Sequence, residues 1–295
     1  MADYGVHQTD AQLRELEKRI KEVYAKAEQE VREKLKSFEE RHAAKDARYR
    51  QMVKDGKMSK DDYTAWLRGQ VFQRKQWKAK LASIQDTLYH ADKIAQQMIN
   101  DGRESPFIDN AVFFGRNIGR ETGLGATFGS YDHNTIRRLI KDNPDILPPR
   151  KGINKDKAYE WYNKIINQSV TQGIIQGESV GQIAKRISEA TGQKLSAAAM
   201  RQARTAYTGA QNAGRMEMLR EAKKMGIKVR KQWLTVGDNR VRHAHVDLDG
   251  AEEEVEEPFV NDIGEIMYPG DPNADPENVW NCRCTLTYFY PDYEE

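Results

Sequence analysis

Leu13, Leu16, Ile20, Val23 and Ala27 recur at alternating spacings of three and four. A helix brings such positions onto one side, so this segment is read as the seam of a long amphipathic helix or coiled coil. Val31, Leu35 and Phe38 carry the seam on after a shift of register. The interval Asp55-Gly56-Lys57-Met58-Ser59 reads as a turn. Gly56 can adopt the left-handed conformation that ends a helix, and Ser59 with Asp62 resembles a capping box with Asp in place of Glu. A second long helix, to about Asn100, carries Trp66, Val71, Trp77, Leu81, Ile84, Leu88, Ile94 and Met98 as its apolar stripe. Residues 1–100 are thus expected to form an antiparallel helical hairpin, a spacer or docking arm. An aromatic stripe at helical spacing is taken as core rather than as a cofactor box.

The composition agrees with long, thin, solvated elements, since 38% of the 295 residues are hydrophobic and 31% charged. The formal net charge of +2 hides an asymmetry: residues 246–295 hold fifteen Asp or Glu and a single basic residue, Arg283. Positions 1–245 therefore carry 46 Lys or Arg against 30 Asp or Glu. A basic body of this kind is attracted to nucleic acid or to an acidic protein surface, and an acidic tail is repelled by DNA. The alternative is a solvated, Lys-rich helical surface. No apolar run approaches the roughly 20 residues that cross a bilayer, and the N-terminus lacks a signal-peptide plan. A soluble protein made in the cytoplasm is the expectation. Two cysteines confined to one Cys-x-Cys make no disulfide framework.

Residues 101–155 are interrupted by Gly102, Pro106, Gly115, Gly119, Gly123, Gly125, Gly129, Pro144 and Pro148-Pro149. They are expected to form a connector with one helix near Thr135 to Lys141. Its glycines are not followed by the Gly-Lys-Ser/Thr of a phosphate loop. Helical pattern resumes at Lys155, pauses at Gly177, restarts at Ser179-Val180 and pauses again at Gly192. A last helix from Ser196 to Met225 intersperses Arg201, Arg204, Arg215 and Arg220 with small residues such as Ala203, Ala206, Gly209, Ala213 and Gly214, a composition that allows close packing. Beyond Gly226 the period becomes extended: Ile227, Val229 and Trp233 alternate, Gly237-Asp238-Asn239 signals a turn, and Cys282, Cys284, Leu286, Tyr288 and Tyr290 alternate again. The fold class expected is mainly α, with a helical body followed by a few-stranded sheet in a small C-terminal α+β module.

Chemistry concentrates in that module. In extended chain, residues two apart face one side, so His243 with His245 and Cys282 with Cys284 each offer two ligand atoms to one ion. Sulfur with imidazole nitrogen is a zinc-type ligand set, although zinc pairs are more often spaced Cys-x-x-Cys. The alternative is that both thiols are small apolar residues on a buried face. A Cys-His nucleophile pair has nothing in the sequence to fix its geometry. A metal-dependent nuclease, with His245 activating water and Arg240, Arg242 and Arg283 gripping phosphate, lacks further carboxylates and histidines at nuclease spacing. Asp238, Arg240 and Arg242 flank the turn and are read as a charged staple.

Taken in order, Ala203-Arg204-Thr205, Asn212, Gly214-Arg215, Trp233, Asp238-Asn239-Arg240-Val241-Arg242, His245, Leu248, Gly250, Phe259, Tyr268-Pro269-Gly270-Asp271 and Asn281-Cys282-Arg283-Cys284 resemble the phage Mu F-like minor head proteins, also called head morphogenesis proteins. The resemblance is clearest over residues 200–290 and looser from Lys155. In the family an acidic residue often follows Ala-Arg-Thr, whereas this chain has Ala206. Some relatives fuse a toxin domain after the module, and none is expected before Glu295. The resemblance implies a Mu F-like domain over residues 156–295 and a non-enzymatic minor capsid protein inside the head. Its implied partners are the portal protein, the major capsid or scaffold protein, and packaged double-stranded DNA. It makes Trp233, Asp238, Arg240, Arg242, Gly250 and Asn281 structural motif residues. One structural zinc on His245, Cys282, Cys284 and His243 stays an open expectation. The alternative function is a zinc-dependent DNA-processing enzyme packaged in the virion.

Overall fold

The computed structural model describes residues 3–72, 75–150 and 152–291, without the side chains of residues 71, 72, 75 and 76. Val71 of the apolar stripe and the terminal Glu295 lie outside that description. Helices α1 (Tyr4–Lys54), α2 (Lys60–Phe72), α3 (Lys75–Gly102) and α4 (Glu104–Glu121) come first. They are followed by α5 (Gly125–Phe128), α6 (His133–Asp142), α7 (Lys155–Ile175) and α8 (Val180–Lys224). Strand β1 (Arg230–Leu234) precedes α9 (His243–Val246), β2 (Glu252–Glu254), β3 (Phe259–Asn261) and β4 (Gly264–Ile266). Helix α10 (Pro276–Val279) and β5 (Thr285–Phe289) close the series. The protein is mainly α with a small α+β module at its C-terminal end, as its periodicities predict.

Two compact units partition the chain, one from residues 1–18, 97–151 and 200–295, the other from residues 19–96 and 152–199. They interleave segments that a linear division at 100 and 155 keeps apart.

In the second unit α1 and α3 run antiparallel. Tyr24 donates to Asp92, Lys34 to the Ser83 carbonyl and Thr87, and Lys80 to Ser37, so positions rise on one helix as they fall on the other. The seam of α1 buries Ile20, Tyr24, Ala27, Val31 and Leu35, with Val23 only half-buried. Steps of 4, 3, 4 and 4 between these positions match an 11-residue repeat, close to the natural helical period, so Tyr24 takes the place a strict heptad gives to Val23. The turn forms as its residues dictate: Gly56 has φ 70°, the Asp62 N–H donates to Ser59 Oγ at 3.0 Å, and Ser59 Oγ donates to Asp62 Oδ2 at 2.7 Å. Ser179 and Gln182 form a reciprocal capping box at the start of α8.

The connector reading needs correction. Residues 104–121 are the continuous helix α4, despite Pro106, Gly115 and Gly119. Pro106 is its third residue, where the backbone N–H has no intrahelical partner to lose. The two glycines are contact points: a Cβ on Gly119 would lie 2.8 Å from Phe128 Cβ, and one on Gly115 would lie 3.4 Å from Met218 Sδ. The helix expected near Thr135 to Lys141 is α6, capped by Asp132. Likewise α8 passes through Gly192 without a break. A Cβ there would meet the Glu28 side chain at 2.5 Å, so absence of a side chain serves packing and offsets the propensity loss of about 1 kcal/mol.

The core of the first unit joins α4, the second half of α8 and the sheet module. Phe107, Phe114 and Ile118 meet Met216, Met218 and Leu219, which continue into Trp233, Phe259, Ile266 and Leu286. The sheet is antiparallel in the order β2-β1-β5, with Trp233 opposite Leu286 and Lys231 opposite Tyr288, and β3-β4 form a separate hairpin. Small residues of α8 let backbone approach backbone: a Cβ on Gly209 would lie 2.6 Å from the Gly270 carbonyl oxygen, and one on Gly214 would lie 2.2 Å from that of Phe107.

Candidate functional site

The C-terminal motif converges on one buried cluster. Asn281 adopts a left-handed conformation, φ 56°, a state that asparagine tolerates better than most residues. Beyond it Cys282 and Cys284 turn inward at 3% exposure each, and Arg283 between them points outward. His245, on the one-turn helix α9, is 1% exposed. Its Nδ1 lies 3.6 Å from Cys282 Sγ and 3.5 Å from Cys284 Sγ. The structure therefore brings together three of the four metal-ligand candidates.

His243 is not among them. Residues 243–246 are helical rather than extended, so residues two apart diverge by about 200° instead of sharing a face. The His243 side chain is 89% exposed and lies 3.6 Å from Asp247.

A hydrogen-bonded relay fixes the His245 tautomer. Asn261 Oδ1 accepts the backbone N–H groups of Ile263 and Gly264, which sets the orientation of its amide. Asn261 Nδ2 then donates to Asn278 Oδ1 at 3.0 Å, and Asn278 Nδ2 returns a bond to Asn261 Oδ1. The same Asn278 Oδ1 lies 2.9 Å from His245 Nε2, which must be the protonated nitrogen. The Nδ1 lone pair is thereby aimed at the sulfurs. The two sulfurs lie within 4.8 Å of one another. The contact from Cys284, reinforced by His245 and opposed by burial, holds the Cys282 thiol well below the usual thiol range. The same contact from Cys282, together with burial, pushes the Cys284 thiol up.

The surrounding motif residues tie this loop to α8. The Asn281 N–H donates to Thr205 Oγ1 at 2.8 Å, Arg204 to Asn281 Oδ1 at 3.1 Å, and Thr208 Oγ1 to the Cys282 carbonyl at 3.0 Å. Buried Asn212 donates to the carbonyls of Thr208, Pro269 and Cys284 and accepts the Leu286 N–H. Trp233 is fully buried and meets His245 edge-on, with ring centres 5.0 Å apart. Gly250, φ 79°, donates its N–H to the Trp233 carbonyl at 2.8 Å.

The charged staple has a different partner from the one its local spacing indicates. Asp238 pairs in bidentate fashion with Arg283, at 2.6 and 2.7 Å, whereas Arg240 is 81% exposed and 3.9 Å away. The Arg283 hydrogen bonds, opposed by desolvation and helped by the Arg240 backbone N–H, pull the Asp238 carboxyl down to about 2. Arg242 instead donates to the Trp280 carbonyl.

Several residues of this network went unread. Asn261 and Asn278 give no sequence signal, being polar positions in irregular chain. Lys231 does give one, because the alternation of Val229 and Trp233 puts it on the buried face. It is fully buried, donates to the Met267 carbonyl at 2.9 Å over the Phe259 ring, and burial pushes its amine down to about 8.

Comparison with known proteins bears on this geometry. Residues 164–287, which contain the cluster and its latches, match the model of the family described as Phage Mu protein F like protein. That segment is similar to the Mu F-like family. The minor head protein GP7 of Bacillus phage SPP1 is 25% identical over 278 residues, covering 94% of this chain and 82% of that protein. An NAD(+)–arginine ADP-ribosyltransferase of Enterococcus faecalis is 34% identical over 158 residues, covering 52% of this chain and 31% of the transferase. No solved structure matches the chain.

Proposed function

We propose that this protein is a minor component of a bacteriophage head, internal to the virion, which associates with the portal vertex and lies against packaged DNA to assist head assembly or DNA delivery. The carrying observation is the similarity to a minor head protein along 94% of this chain and 82% of that protein. The motif residues support a structural role, because Asn212, Arg215, Asn281 and Asp238 all serve as latches within the fold. The surplus of basic residues before position 246 supports contact with DNA. No described helix is long and apolar enough to cross a membrane.

A DNA-processing enzyme built on His245 is disfavoured, since that residue and both cysteines are at most 3% exposed and no phosphodiester reaches them. The overlap with the transferase takes in less than a third of that protein, so its named activity is not carried over.

Co-expression with the neighbouring portal, scaffold and shell proteins, followed by mass spectrometry of purified procapsids, tests the proposal. Incorporation at a few copies that vanishes when the portal is left out is expected. Absence from intact particles would refute it. Cleavage of plasmid DNA or consumption of labelled NAD by the purified protein would revive an enzymatic reading.

A further inference from the structure

We propose that His245, Cys282 and Cys284 hold a zinc ion that fastens the loop before β5 to the segment following β1. This site is independent of the head-protein reading and stands or falls on different measurements.

The spacing of the ligand atoms carries the argument. With zinc–sulfur bonds of about 2.3 Å and a zinc–nitrogen bond of about 2.05 Å, a tetrahedral ion sets its nitrogen and sulfur ligands about 3.6 Å apart. His245 Nδ1 lies 3.6 and 3.5 Å from the two sulfurs, and all three ligand atoms fall within 4.8 Å of one another. Simple packing of two thiols as apolar groups does not call for an imidazole lone pair directed between them.

The second observation is the relay behind the histidine. Metal-bound imidazole characteristically donates its other N–H to a fixed acceptor, which sets tautomer and ring orientation. Here Asn278 accepts from Nε2, and Asn278 is itself oriented through Asn261 by two backbone N–H groups. A buried neutral histidine needs one hydrogen-bond partner; this one has a scaffold of two oriented asparagines that leaves Nδ1 free for the sulfurs.

The third is the provision for negative charge on sulfur. The Cys284 N–H points at Cys282 Sγ from 3.4 Å. Trp233 Nε1 is buried without a hydrogen-bond partner, and its ring stands edge-on to His245 with centres 5.0 Å apart. Two thiolates this close repel strongly in an apolar interior, and a divalent cation is what allows both to ionise. Thiolate and imidazole select zinc over calcium and magnesium, which take oxygen ligands. Three protein ligands leave the fourth position of the ion to a small donor such as water. Burial of all three ligands makes the role structural, so that metal binding and folding of the module are linked.

The test uses the full chain, expressed without a polyhistidine tag in zinc-supplemented medium. Elemental analysis should find about one zinc per chain, and mercurial titration of the two thiols should release it in step, read with a chromogenic chelator. Replacement by cobalt(II) should give a thiolate charge-transfer band. Cys284→Ser should lose the metal, and Asn278→Ala, which touches no metal, should weaken zinc binding by about 10–100-fold. If Cys284→Ser does not fold, the stoichiometric release from the wild-type chain still decides the matter. A folded wild-type protein without stoichiometric zinc, whose thiols titrate with no metal released, would overturn the proposal.

Discussion

Replacing Arg215 by methionine removes a buried charge that ties three elements together while keeping a side chain of similar length. Arg215 is fully buried, and its guanidinium makes four hydrogen bonds: Nε to Asn110 Oδ1 at 2.8 Å, Nη1 to Asp3 Oδ2 at 2.8 Å and to the Leu286 carbonyl at 2.9 Å, and Nη2 to Asp3 Oδ1 at 2.6 Å. One side chain on α8 thereby joins the start of α1, the middle of α4 and strand β5. Asp3 also accepts the Val6 N–H at 2.9 Å and caps α1. A Cβ on Gly5 would lie 2.8 Å from Arg215 Nη2, so glycine there admits the guanidinium.

Methionine leaves Asn110 Oδ1 and the Leu286 carbonyl as buried acceptors without this donor, at about 1–3 kcal/mol each. Asp3, with a third of its side chain exposed, can turn to water and adds little. Packing over Phe114, 4.7 Å from Arg215 Cζ, is largely retained. The net expectation is a loss of about 3 kcal/mol, within the range for breaking a buried ion pair. At an m value of about 2 kcal/mol/M the urea midpoint of the first unit falls by about 1.5 M. Hydrogen exchange of β5 and α4 amides reports this unit separately. Arg215→Lys should lose nearly as much, because a single ammonium cannot reach Asn110, Asp3 and Leu286 together. A midpoint for either variant within about 0.3 M of wild type would refute the reasoning. Burial opposes ionisation of Asp3, but the hydrogen bonds and charge of Arg215 together with the backbone N–H groups of Val6 and Gly5 hold its carboxyl below 3.8, so the pair's contribution is full above about pH 4 and is lost as pH falls through the lowered pKa.

Gly214→Ala drives a methyl group against the Phe107 backbone and should cost about 1–3 kcal/mol, whereas Gly192→Ala meets only a movable Glu28 side chain and should change stability by less than about 0.5 kcal/mol. Equal losses in urea unfolding would refute the close-approach argument. Asp238→Asn should lower the Tm at neutral pH and make no difference near pH 2, because a carboxyl pulled from 3.8 to about 2 stabilises the fold above pH 4 and ceases to do so as it protonates. A carboxyl 13C titration of Asp238 centred near 3.8 would contradict the pairing with Arg283. In the helical unit, burial pushes the Asp92 carboxyl up despite the Tyr162 and Tyr24 hydroxyls that donate to it. A folded pKa above the unfolded value means stability rises as pH falls from 7 through it and levels off below about 3.8. Asp92→Asn should flatten that slope in unfolding curves taken from pH 7 to 4, and an unchanged slope would show that other groups carry it.

The cluster illustrates which parts of the site were readable. Cys282 and Cys284 share a face because Arg283 between them is charged, a two-residue period visible in the chain. Pairing His243 with His245 rested on the same period, and failed because four residues coil into one helical turn that nothing in their identity requires. Asp238 lies two residues from Arg240 and four from Arg242, yet it takes Arg283, a partner 45 positions away. Asn278 and Asn261 acquire their meaning only from each other.

The sequence alone determined the long helices, the turn at Gly56, the capping at Ser59 and the change to extended chain after Gly226. Each depends on residues within a turn or two of one another. The tertiary structure decided that Pro106, Gly115, Gly119 and Gly192 do not break helices, that Tyr24 and not Val23 fills the seam, and which groups face His245 and Arg215. For Gly115, Gly192, Tyr24, His245 and Arg215 the deciding partner lies tens to hundreds of positions away, and burial in the folded core, where an unmet polar group or a misplaced methyl costs kilocalories, outweighs local propensities worth about 1 kcal/mol or less.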